Sequence, residues 1–454
     1  MTKALSRTTQ RYRMQNTKCS LAVAVETLGC KVNQYETSYF LGVLKQAGCR
    51  IVPFRERADI YIVHSCAVTA KAGFQTRQLL RRARRANPNA LIVAAGCYAQ
   101  LEADRIADER LATHILGNPG KFNILEWLNQ PGSFERPCLA LDRAPHSCSE
   151  FEILPISRMH TGRTRAMLKI QDGCNSSCSY CVVPHVRGRS RSLPLDLVLA
   201  QLEELVGAGY LEVVLAGIHL GQWGKDLAQG LSLSHLLEKM GSSRHPLRLR
   251  LSSLEPQEIN SGLVSMISSA PWICRHFHIP LQSGDPDILD RMRRPYNPQY
   301  YAELIAQIHT TLPDAAIGAD VLTGFPGESE KQFENTLDFI ERLPLSYLHV
   351  FPFSPRHGTP AATFSGQIHG TELKRRAGIL QALGRRKRRD FREKFIGEHL
   401  DILVETEVQP CLFEGLSSNY IKVIFPAREG ICQGELVRVK ATGYRGEDLE
   451  GERV

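Results

Sequence analysis

Residues 173–181 read GCNSSCSYC, and they are the strongest structural signal in this chain of 454 residues. They place Cys174, Cys178 and Cys181 on one short loop, directly after the strand-like run AMLKIQ at 166–171. Three thiolates at the spacing C-x3-C-x2-C can bind three irons of a [4Fe–4S] cube, whereas electron-transfer ferredoxins supply four cysteines per cluster. The spacing therefore indicates a cluster whose fourth iron can coordinate a small molecule.

Two other interpretations of this loop stay open at the level of spacing. A structural zinc site could use the same three cysteines together with His185, since Cys3His is a known ligand set. A redox pair of Cys178 and Cys181 is the other alternative, although it would leave Cys174 without a role.

A second cysteine trio is spread over the first hundred residues. Cys30, Cys66 and Cys97 each end an apolar run, in LAVAVETLGC, DIYIVHSC and ALIVAAGC. Such runs are typical of buried parallel strands, and ligands of these sheets bind beyond the carboxyl ends of the strands. We therefore expect the three thiols to meet at one sheet edge and bind a metal. The alternative is that each is an ordinary buried core residue.

The order of strand-like and helix-like segments predicts an α/β multidomain protein. Residues 20–130 indicate a parallel α/β sheet domain, and six strand–helix units within 164–390 indicate a partial (α/β)6 barrel. Short strands over 391–454 predict a small β-barrel of the oligonucleotide-binding kind. Residues 1–19 are predicted to be a basic flexible tail, and 131–163 an irregular linker.

Composition and charge favour an anionic macromolecule as partner. The formal net charge is +9, and residues 374–394 hold ten Lys or Arg against two acidic residues. Basic runs of this kind contact nucleic-acid phosphates. The thirteen cysteines occur without a secretory signal, which favours a reducing, cytoplasmic location. No apolar run is long enough to predict a membrane span. The RNA contacts predicted from these basic stretches are Arg187, Arg189, Arg191, Lys374, Arg385, Arg386, Lys387, Arg388 and Arg389.

The Cys174 loop resembles the signature of the radical S-adenosylmethionine superfamily, C-x3-C-x-aromatic-C, with Tyr180 at the aromatic position. The resemblance implies that S-adenosylmethionine binds the open iron and yields a 5′-deoxyadenosyl radical, which abstracts hydrogen from a C–H bond. Polar and glycine-containing strand ends then become candidates for binding the rest of this cofactor. The candidate cofactor-binding residues are Tyr180, Ala216, Gly217, Ser253, Glu255 and Gln282.

The segments around the distributed trio resemble the amino-terminal domain of the methylthiotransferase family; they are TLGCKVNQYET, HSCAVT and AAGCYAQ. The similarity extends over residues 20–454 and includes DVLTGFPGES and FPFSPRHGTPA. The resemblance implies a second, auxiliary [4Fe–4S] cluster on Cys30, Cys66 and Cys97. It also implies an RNA-binding TRAM module in the tail, where the candidate RNA contacts are Tyr420, Lys422, Arg438 and Lys440. His64 departs from the family's smaller residues, and we interpret it as a nearby hydrogen-bonding group. The other seven cysteines are assigned to packing or surface.

Within that family, LGCKVNQYET and FSPRHGTPA look most like the branch acting on N6-threonylcarbamoyladenosine at position 37 of the tRNA anticodon stem-loop. The expected reaction is methylthiolation of carbon 2, with S-adenosylmethionine as radical source and methyl donor. A flavodoxin or ferredoxin is the expected electron donor, and no sulfur donor is assigned. The alternatives are methylthiolation of isopentenyladenosine-37 and a non-catalytic iron–sulfur RNA-binding redox sensor.

Overall fold

The computed structural model describes residues 21–141, 150–156, 159, 163–227, 230–242, 247–426 and 430–454. The predicted basic tail, 1–19, lies outside these residues, as do Cys19 and Cys148. The chain divides into two compact units. The first holds the described part of Met1–Thr161 together with Gly173–Ser176 and Cys181–Arg189, and the second holds Gly162–Asp172, Ser177–Tyr180 and Ser190–Val454.

The first unit is built on one parallel sheet, as the apolar runs predict. Its strands are β1 (Ala22–Thr27), β2 (Arg50–Val52), β3 (Ile60–Ser65), β4 (Leu91–Gly96), β5 (His114–Leu116) and β6 (Cys138–Ala140), in the order β2-β1-β3-β4-β5-β6. Every residue of β3 is buried, which is the pattern of a central strand covered on both faces. The carboxyl ends of β1, β3 and β4 therefore lie side by side.

Helices cover this sheet. They are α1 (Lys31–Gln46), α2 (Ala70–Ala86), α3 (Cys97–Leu101), α4 (Ala103–Asp108), α5 (Ile124–Leu128) and α6 (Val183–Arg187). Helix α2 begins at a Thr69 cap, whose hydroxyl accepts a hydrogen bond from the Ala72 backbone N–H. Helix α6 comes from the segment just after Cys181, so the chain returns to the first unit immediately beyond the cysteine loop.

Strand β6 lies inside the segment predicted to be an irregular linker, 131–163. Its three residues pair in parallel with β5, from His114 with Cys138 to Leu116 with Ala140. The sheet therefore continues past the expected boundary at residue 130. The run Cys-Leu-Ala is too short to show a strand periodicity, and it follows turn residues, which is why the sequence did not indicate it.

The second unit begins with a partial barrel. Its strands are β7 (Ala166–Lys169), β8 (Gln171–Asp172), β9 (Arg191–Ser192), β10 (Glu212–Ala216), β11 (Arg248–Leu251), β12 (His276–His278), β13 (Ala316–Thr323) and β14 (Tyr347–Pro352). Six of these strands run parallel in chain order, as β7-β10-β11 and β12-β13-β14, and a single parallel bridge between Leu249 and Ile273 joins the two halves. The predicted partial (α/β)6 architecture is confirmed.

The helices that accompany these strands are α7 (Leu195–Gly207), α8 (Leu233–Ser242), α9 (Ser261–Ser269), α10 (Pro286–Arg291), α11 (Pro298–Thr311), α12 (Glu330–Arg342) and α13 (Gly370–Glu393). Four of these helices begin after a residue type that is favoured at helix N-caps. In each case the side chain accepts a hydrogen bond from the first turn of the helix, and the four caps are Asn260, Asp285, Asn297 and Ser329. None of the helices in the described part of the chain has the length and apolar character needed to cross a bilayer.

The tail of the second unit forms the predicted small β-barrel. Its strands β15 (His399–Gln409), β16 (Leu412–Ser417), β17 (Lys422–Pro426), β18 (Leu436–Arg445) and β19 (Asp448–Arg453) close in the order β15-β16-β17-β19-β18. Apolar residues such as Ile402, Val423 and Phe425 fill its interior.

A buried ionic cluster attaches this barrel to the larger one. Glu212 accepts from Arg248 at 2.6 Å and from Arg250 at 2.8 Å, and these guanidiniums also donate to the carbonyls of Leu416 at 2.6 Å and Ser417 at 3.0 Å. Glu212 and Arg248 are the first residues of β10 and β11. The tail barrel therefore contacts the amino-terminal side of these strands, opposite the strand ends where barrel chemistry takes place.

Candidate metal centres and nucleic-acid surface

The structure brings the distributed trio together. Cys30 is the residue before α1, Cys66 directly follows β3, and Cys97 is the first residue of α3 directly after β4. Burial, and then the proximity of Cys97 and Cys30, raises the pKa of Cys66 to about 12. A thiol whose pKa is raised in this way ionises when a nearby cation stabilises the thiolate, and bound iron supplies such a charge. The donor set therefore fits a metal cluster.

Gly29 allows Cys30 to lie beside Cys66. Its backbone has φ = +119°, and a Cβ at this position would lie 2.6 Å from the Cβ and 3.2 Å from the Sγ of Cys66. Both the positive φ and the close approach exclude a larger residue here. Gly29 is thus required because the predicted ligands Cys30 and Cys66 lie close together.

Cys97 accepts hydrogen bonds from two buried side chains. Arg187 Nε lies 3.2 Å from its Sγ, and Asn118 Nδ2 lies 3.5 Å from the same atom. Asn118 also donates to the backbone carbonyl of Val186 at 2.6 Å. Val182 and Val186 pack against Ala67 and Cys97 in a small apolar cluster. Helix α6, which begins two residues after Cys181, is therefore fixed to the edge that holds the distributed trio.

A buried charge network surrounds these contacts. Glu36, fully buried, accepts from Arg187 Nη1 at 3.1 Å and Nη2 at 3.2 Å, and from Lys121 Nζ at 2.6 Å. Arg187 Nη2 also donates to Asn33 at 2.9 Å. Burial lowers the pKa of Lys121, but the carboxylate at 2.6 Å favours its charged form. The guanidinium of Arg187 therefore lies against both the Glu36 carboxylate and the Cys97 thiol, a position that suits an anionic thiolate-bound cluster.

His64 belongs to this network rather than to the thiols. Its Nδ1 is 2.9 Å from the hydroxyl of Thr37, and its Nε2 is 3.3 Å from Glu36. Burial lowers its pKa to about 4, so the ring is neutral at physiological pH. His64 is thus a hydrogen-bonding residue of the buried network, which is in line with its interpretation from the sequence.

The cysteines of the Cys174 loop are half-buried. In the first unit, the Cys174 backbone N–H donates to the Gly188 carbonyl at 3.1 Å, and its Sγ accepts from the Ser176 backbone at 3.4 Å. In the second unit, Arg294 Nη1 lies 3.3 Å from the Cys178 Sγ. The guanidinium of Arg294 also pairs with Glu255.

The predicted cofactor-binding residues follow three neighbouring strands of the partial barrel. Ala216 ends β10 and Gly217 follows it, Ser253 and Glu255 follow β11, and Gln282 follows β12 with φ = +65°. Ser253 is exposed, whereas Glu255 is partly buried beside Arg294. Tyr180 instead packs against an apolar cluster that contains Phe325 and Phe353, which gives it a supporting role.

Two hydroxyl groups that the sequence did not single out lie at the same strand ends. Ser252, directly after β11, and Thr323, the last residue of β13, are both buried, and their side-chain oxygens have no hydrogen-bond partner among the described residues. Buried polar atoms normally have partners, so orphaned hydroxyls indicate a site for a polar ligand. They fit a cofactor with ribose and amino-acid groups.

Several predicted RNA contacts are buried, and the prediction is wrong for them. Arg187 is 3% exposed against Glu36 and Cys97, and Arg191 is 8% exposed. Lys387 points inward and donates to the backbone carbonyls of Glu341 at 3.0 Å and Leu343 at 2.7 Å. These side chains hold parts of the fold together and do not present charge to a polyanion.

Tyr420 also has a packing role. Its ring stacks on His276 at a centroid distance of 4.3 Å, and Arg250 lies 5.3 Å from its centroid. The turn that carries Tyr420 is thereby fixed to the base of β12. Lys422 is partly buried and pairs with Glu414 at 2.9 Å.

The remaining predicted contacts are accessible. Arg388 is partly exposed and lies 4.0 Å from Glu447, and the Arg386 guanidinium pairs with Glu341. The exposed predicted residues are Arg189, Lys374, Arg385, Arg386 and Arg389. Helix α13 therefore presents basic side chains on one face, while its other face packs against β14.

A second basic surface lies on the first unit. Helix α2 exposes Arg81, Arg82 and Arg85, which line a groove of about 630 Å³ together with Phe74. Phe74 is 51% exposed, although aromatic side chains of this size are usually covered. A groove that combines arginines with an exposed aromatic ring is typical of single-stranded nucleic-acid binding.

Comparison with known proteins gives the family. Residues 22–117 match the family described as Uncharacterized protein family UPF0004, and residues 168–340 match the Radical SAM superfamily. The chain is 36% identical over 423 residues to the threonylcarbamoyladenosine tRNA methylthiotransferase MtaB of Bacillus subtilis (strain 168), which covers 92% of this chain and 93% of that protein. The chain belongs to the radical S-adenosylmethionine methylthiotransferase family.

Other members of this methylthiotransferase family give a similar result. MtaB of Aquifex aeolicus (strain VF5) is 36% identical over 92% of this chain and 100% of its own length. The tRNA-2-methylthio-N(6)-dimethylallyladenosine synthase of Moorella thermoacetica is 31% identical over 94% of this chain and 97% of its own length. Family membership implies S-adenosylmethionine and a [4Fe–4S] cluster as cofactors, and it makes the protein a radical enzyme.

A solved structure agrees with this methylthiotransferase fold. The radical S-adenosylmethionine methyltransferase TsrM from Kitasatospora setae superposes with a TM-score of 0.55 at 16% identity, covering 76% of this chain and 75% of that chain. At this identity the similarity concerns the fold alone.

Proposed function

We propose that this enzyme adds a methylthio group to carbon 2 of N6-threonylcarbamoyladenosine at position 37 of tRNA. The relatives named for this activity match the chain over nearly its whole length, at 33–36% identity. A base in the anticodon loop is a suitable target, because proteins that recognise RNA sequence bind unstacked bases in loops. A tRNA substrate also favours action in the cytoplasm.

The second part of the proposal assigns an auxiliary [4Fe–4S] cluster to Cys30, Cys66 and Cys97. The observation that carries it is the proximity of the three thiols at one sheet edge, where burial and then Cys97 and Cys30 raise the pKa of Cys66. Arg187 Nε, 3.2 Å from the Cys97 Sγ, places a guanidinium beside the thiolates of such a cluster. The open iron of the cluster would hold the sulfur to be transferred.

The first cluster would be held by Cys174, Cys178 and Cys181. When bound there, it supplies the one-electron chemistry that converts S-adenosylmethionine into a 5′-deoxyadenosyl radical. Arg294 orients Cys178 through its contact with the Sγ, while Glu255 fixes Arg294. The hydroxyls of Ser252 and Thr323 and the polar groups of Ser253, Glu255 and Gln282 bind the cofactor at the strand ends. A reduced flavodoxin or ferredoxin is the proposed electron donor.

The tRNA is bound by two basic surfaces. The first is the groove of helix α2, where Arg82 and Arg85 meet phosphates and Phe74 offers a face for stacking. The second is the exposed side of helix α13, with Lys374, Arg385 and Arg389. Phosphate contacts supply most nucleic-acid affinity, so neither surface needs to read base sequence.

Mass spectrometry of tRNA nucleosides tests the proposed activity. A bacterial host whose own threonylcarbamoyladenosine methylthiotransferase is deleted would express this chain, and its digested tRNA would be analysed. We expect the methylthio form of threonylcarbamoyladenosine to return with the wild-type chain and to be absent with Cys178→Ala. A methylthio group found only on isopentenyladenosine would assign the protein to the other branch. If the chain holds both clusters but yields no methylthiolated nucleoside, the remaining interpretation is a non-catalytic redox sensor.

A further inference from the structure

Three polar side chains lie across the last three strands of the partial barrel, outside every site assigned so far. His278 is on β12, Asp320 on β13 and His349 on β14, and Asp320 and His349 are direct partners across the parallel ladder. Asp320 Oδ1 is 2.8 Å from His278 Nε2 and 3.3 Å from His349 Nδ1. Tyr347 Oη lies 3.0 Å from the remaining ring nitrogen of His278, Nδ1.

Alternation along β14 shows which way His349 points. Residues two apart on a strand share a face, so Tyr347, His349 and Phe351 lie on one side. Leu348 points to the opposite side, towards helix α13, where a Cβ added to Gly384 would lie 3.1 Å from the Leu348 Cβ. His349 and Phe351 therefore face the interior of the partial barrel.

Both of these side chains are open to solvent. His349 is 49% exposed and Phe351 is 38% exposed, although β14 belongs to the barrel that is expected to enclose the reaction. Their rings meet edge to face, with centroids 6.4 Å apart and planes at 79°. β14 is the last strand of its sheet, so this face borders the open side of the partial barrel. An exposed aromatic ring beside an exposed imidazole is a surface that a modified purine can occupy.

Asp320 defines what His349 can offer to a ligand. Burial alone would raise the pKa of Asp320, but hydrogen bonds from His278 and His349 hold it below its ordinary value, so the group is a carboxylate. A carboxylate at Nδ1 accepts a hydrogen bond from the ring and fixes its orientation. Nε2 then points away from Asp320, and in the imidazolium form, where both ring nitrogens are donors, it makes a charge-assisted hydrogen bond to an anionic acceptor.

The proposed substrate carries such an acceptor. The threonylcarbamoyl group ends in the free carboxylate of threonine, whereas an isopentenyl group is wholly apolar. Resting on the proposed function, we infer that His349 is a specificity-determining residue that binds this carboxylate, with Asp320 as the residue that positions its ring. Phe351, on the same face of β14, contacts the modified base.

A metal ion is the competing use of the same three groups, because their ligand atoms all lie within 4.8 Å of one another. The 2.8 Å separation between His278 Nε2 and Asp320 Oδ1 is that of a hydrogen bond. Two ligands of a tetrahedral metal site are about 3.3 Å apart at bond lengths of about 2.05 Å. The geometry therefore favours a hydrogen-bonded triad.

The test compares two anticodon stem-loops that differ only at the threonine carboxylate, one as the free acid and one as its methyl ester. Binding to the full-length, anaerobically reconstituted enzyme would be measured by fluorescence anisotropy. We expect wild type to prefer the acid by roughly ten- to hundredfold, the range for a hydrogen bond to a charged group. His349→Ala should bind both RNAs equally, and His349→Gln should keep part of the preference.

His235→Ala is the matched control, because His235 is an exposed histidine on α8, a different element of the same unit. It should keep the full preference. Iron content and melting temperature would establish that each variant is folded and loaded. An unchanged acid preference in His349→Ala would overturn the inference, as would one equivalent of a non-cluster metal that is lost with His349.

The same experiment separates this inference from the proposed function. If wild type methylthiolates the acid stem-loop but discriminates acid from ester no better than His349→Ala, only the role of His349 fails. If wild type modifies an isopentenyladenosine stem-loop and not the acid, the assigned substrate fails first, and the role of His349 with it.

Discussion

Arg187 Nε lies 3.2 Å from the Sγ of Cys97, ninety positions earlier in the chain. The arginine lies at the end of α6, six residues after Cys181, so the segment that follows one cysteine trio donates a hydrogen bond to a cysteine of the other. Hydrogen bonds to ligating sulfurs tune the reduction potential of iron–sulfur clusters. Arg187 therefore contacts a cysteine of the distributed trio, whereas its basic segment VPHVRGRSRS had suggested an RNA contact.

Replacing Arg187 should change the reduction potential of the proposed auxiliary cluster. Arg187→Gln removes a charge and an N–H···S bond, so the reduced, more negative cluster loses stabilisation. We expect its reduction potential to fall by about 65–130 mV, which corresponds to about 1.5–3 kcal/mol for a hydrogen bond to a charged group on a one-electron couple. Redox titration followed by electron paramagnetic resonance would measure this in the absence of RNA. Arg55→Gln, at an exposed arginine of the same unit, should leave both potentials in place.

Glu36 should be one of the most sensitive residues for stability. Glu36→Gln leaves Arg187 and Lys121 buried without their carboxylate, and breaking a buried pair costs about 3–5 kcal/mol. The free energy of unfolding of the first unit in urea, measured anaerobically, should fall by that order. Glu126→Gln is an exposed control that should stay within about 0.5 kcal/mol of wild type. A loss no larger than in the control would contradict the buried charge network.

His114 should make the stability of the first unit sensitive to acid. It is buried on β5, with Nδ1 2.9 Å from Thr113 Oγ1, and burial lowers its pKa from the ordinary value of 6.5. The unfolded chain therefore takes up a proton at higher pH than the folded chain. Stability is complete above pH 6.5 and is lost as the pH falls below it, by at most about 1.4 kcal/mol per pH unit.

Urea unfolding at pH 7.5 and pH 5.5 would measure this effect. The loss between the two pH values should be smaller in His114→Gln than in wild type, because the variant has no group to protonate. Equal losses in the two proteins would show that His114 does not contribute to the acid sensitivity.

Arginines of helix α2 should contribute to RNA affinity through charge. The double change of Arg82 and Arg85 to glutamine should weaken anticodon stem-loop binding, and the slope of log K against log salt should fall by about 1 per arginine. Arg55→Gln is the control, because Arg55 is an exposed arginine of the same unit that does not line the groove. A salt slope unchanged in the double variant would remove α2 from the RNA surface.

The sequence predicted those features that depend on local pattern. Apolar runs that end in cysteine placed Cys30, Cys66 and Cys97 at one sheet edge, since parallel strands align their carboxyl ends. The strand–helix alternation predicted the partial barrel for the same reason. Lys387 was predictable too: Leu380, Leu383, Lys387 and Phe391 follow helical spacing on the buried face of α13, but the basic run around them obscured it.

Contacts between distant residues could not be predicted in this way. Glu36 and Arg187 are 151 positions apart, and no periodicity connects an arginine in a basic run with a buried carboxylate. Asn118 and Lys121 follow β5 in a segment without a motif. His278, Asp320 and His349 come together only because β12, β13 and β14 are neighbours, with the register that pairs Asp320 with His349. The positions of these residues therefore follow from the three-dimensional pairing of strands and helices, which the local sequence pattern does not specify.

Iron analysis tests the central claim most directly, because it counts the two clusters. The anaerobically reconstituted chain should hold about eight Fe per polypeptide, four for each [4Fe–4S] cluster. Variants with alanine at Cys30, Cys66 and Cys97, or at Cys174, Cys178 and Cys181, should each hold about four, with the Mössbauer signature of a [4Fe–4S] cluster. A wild-type chain that saturates at about four Fe, and loses none when the first trio is replaced, would contradict the assignment of a second cluster.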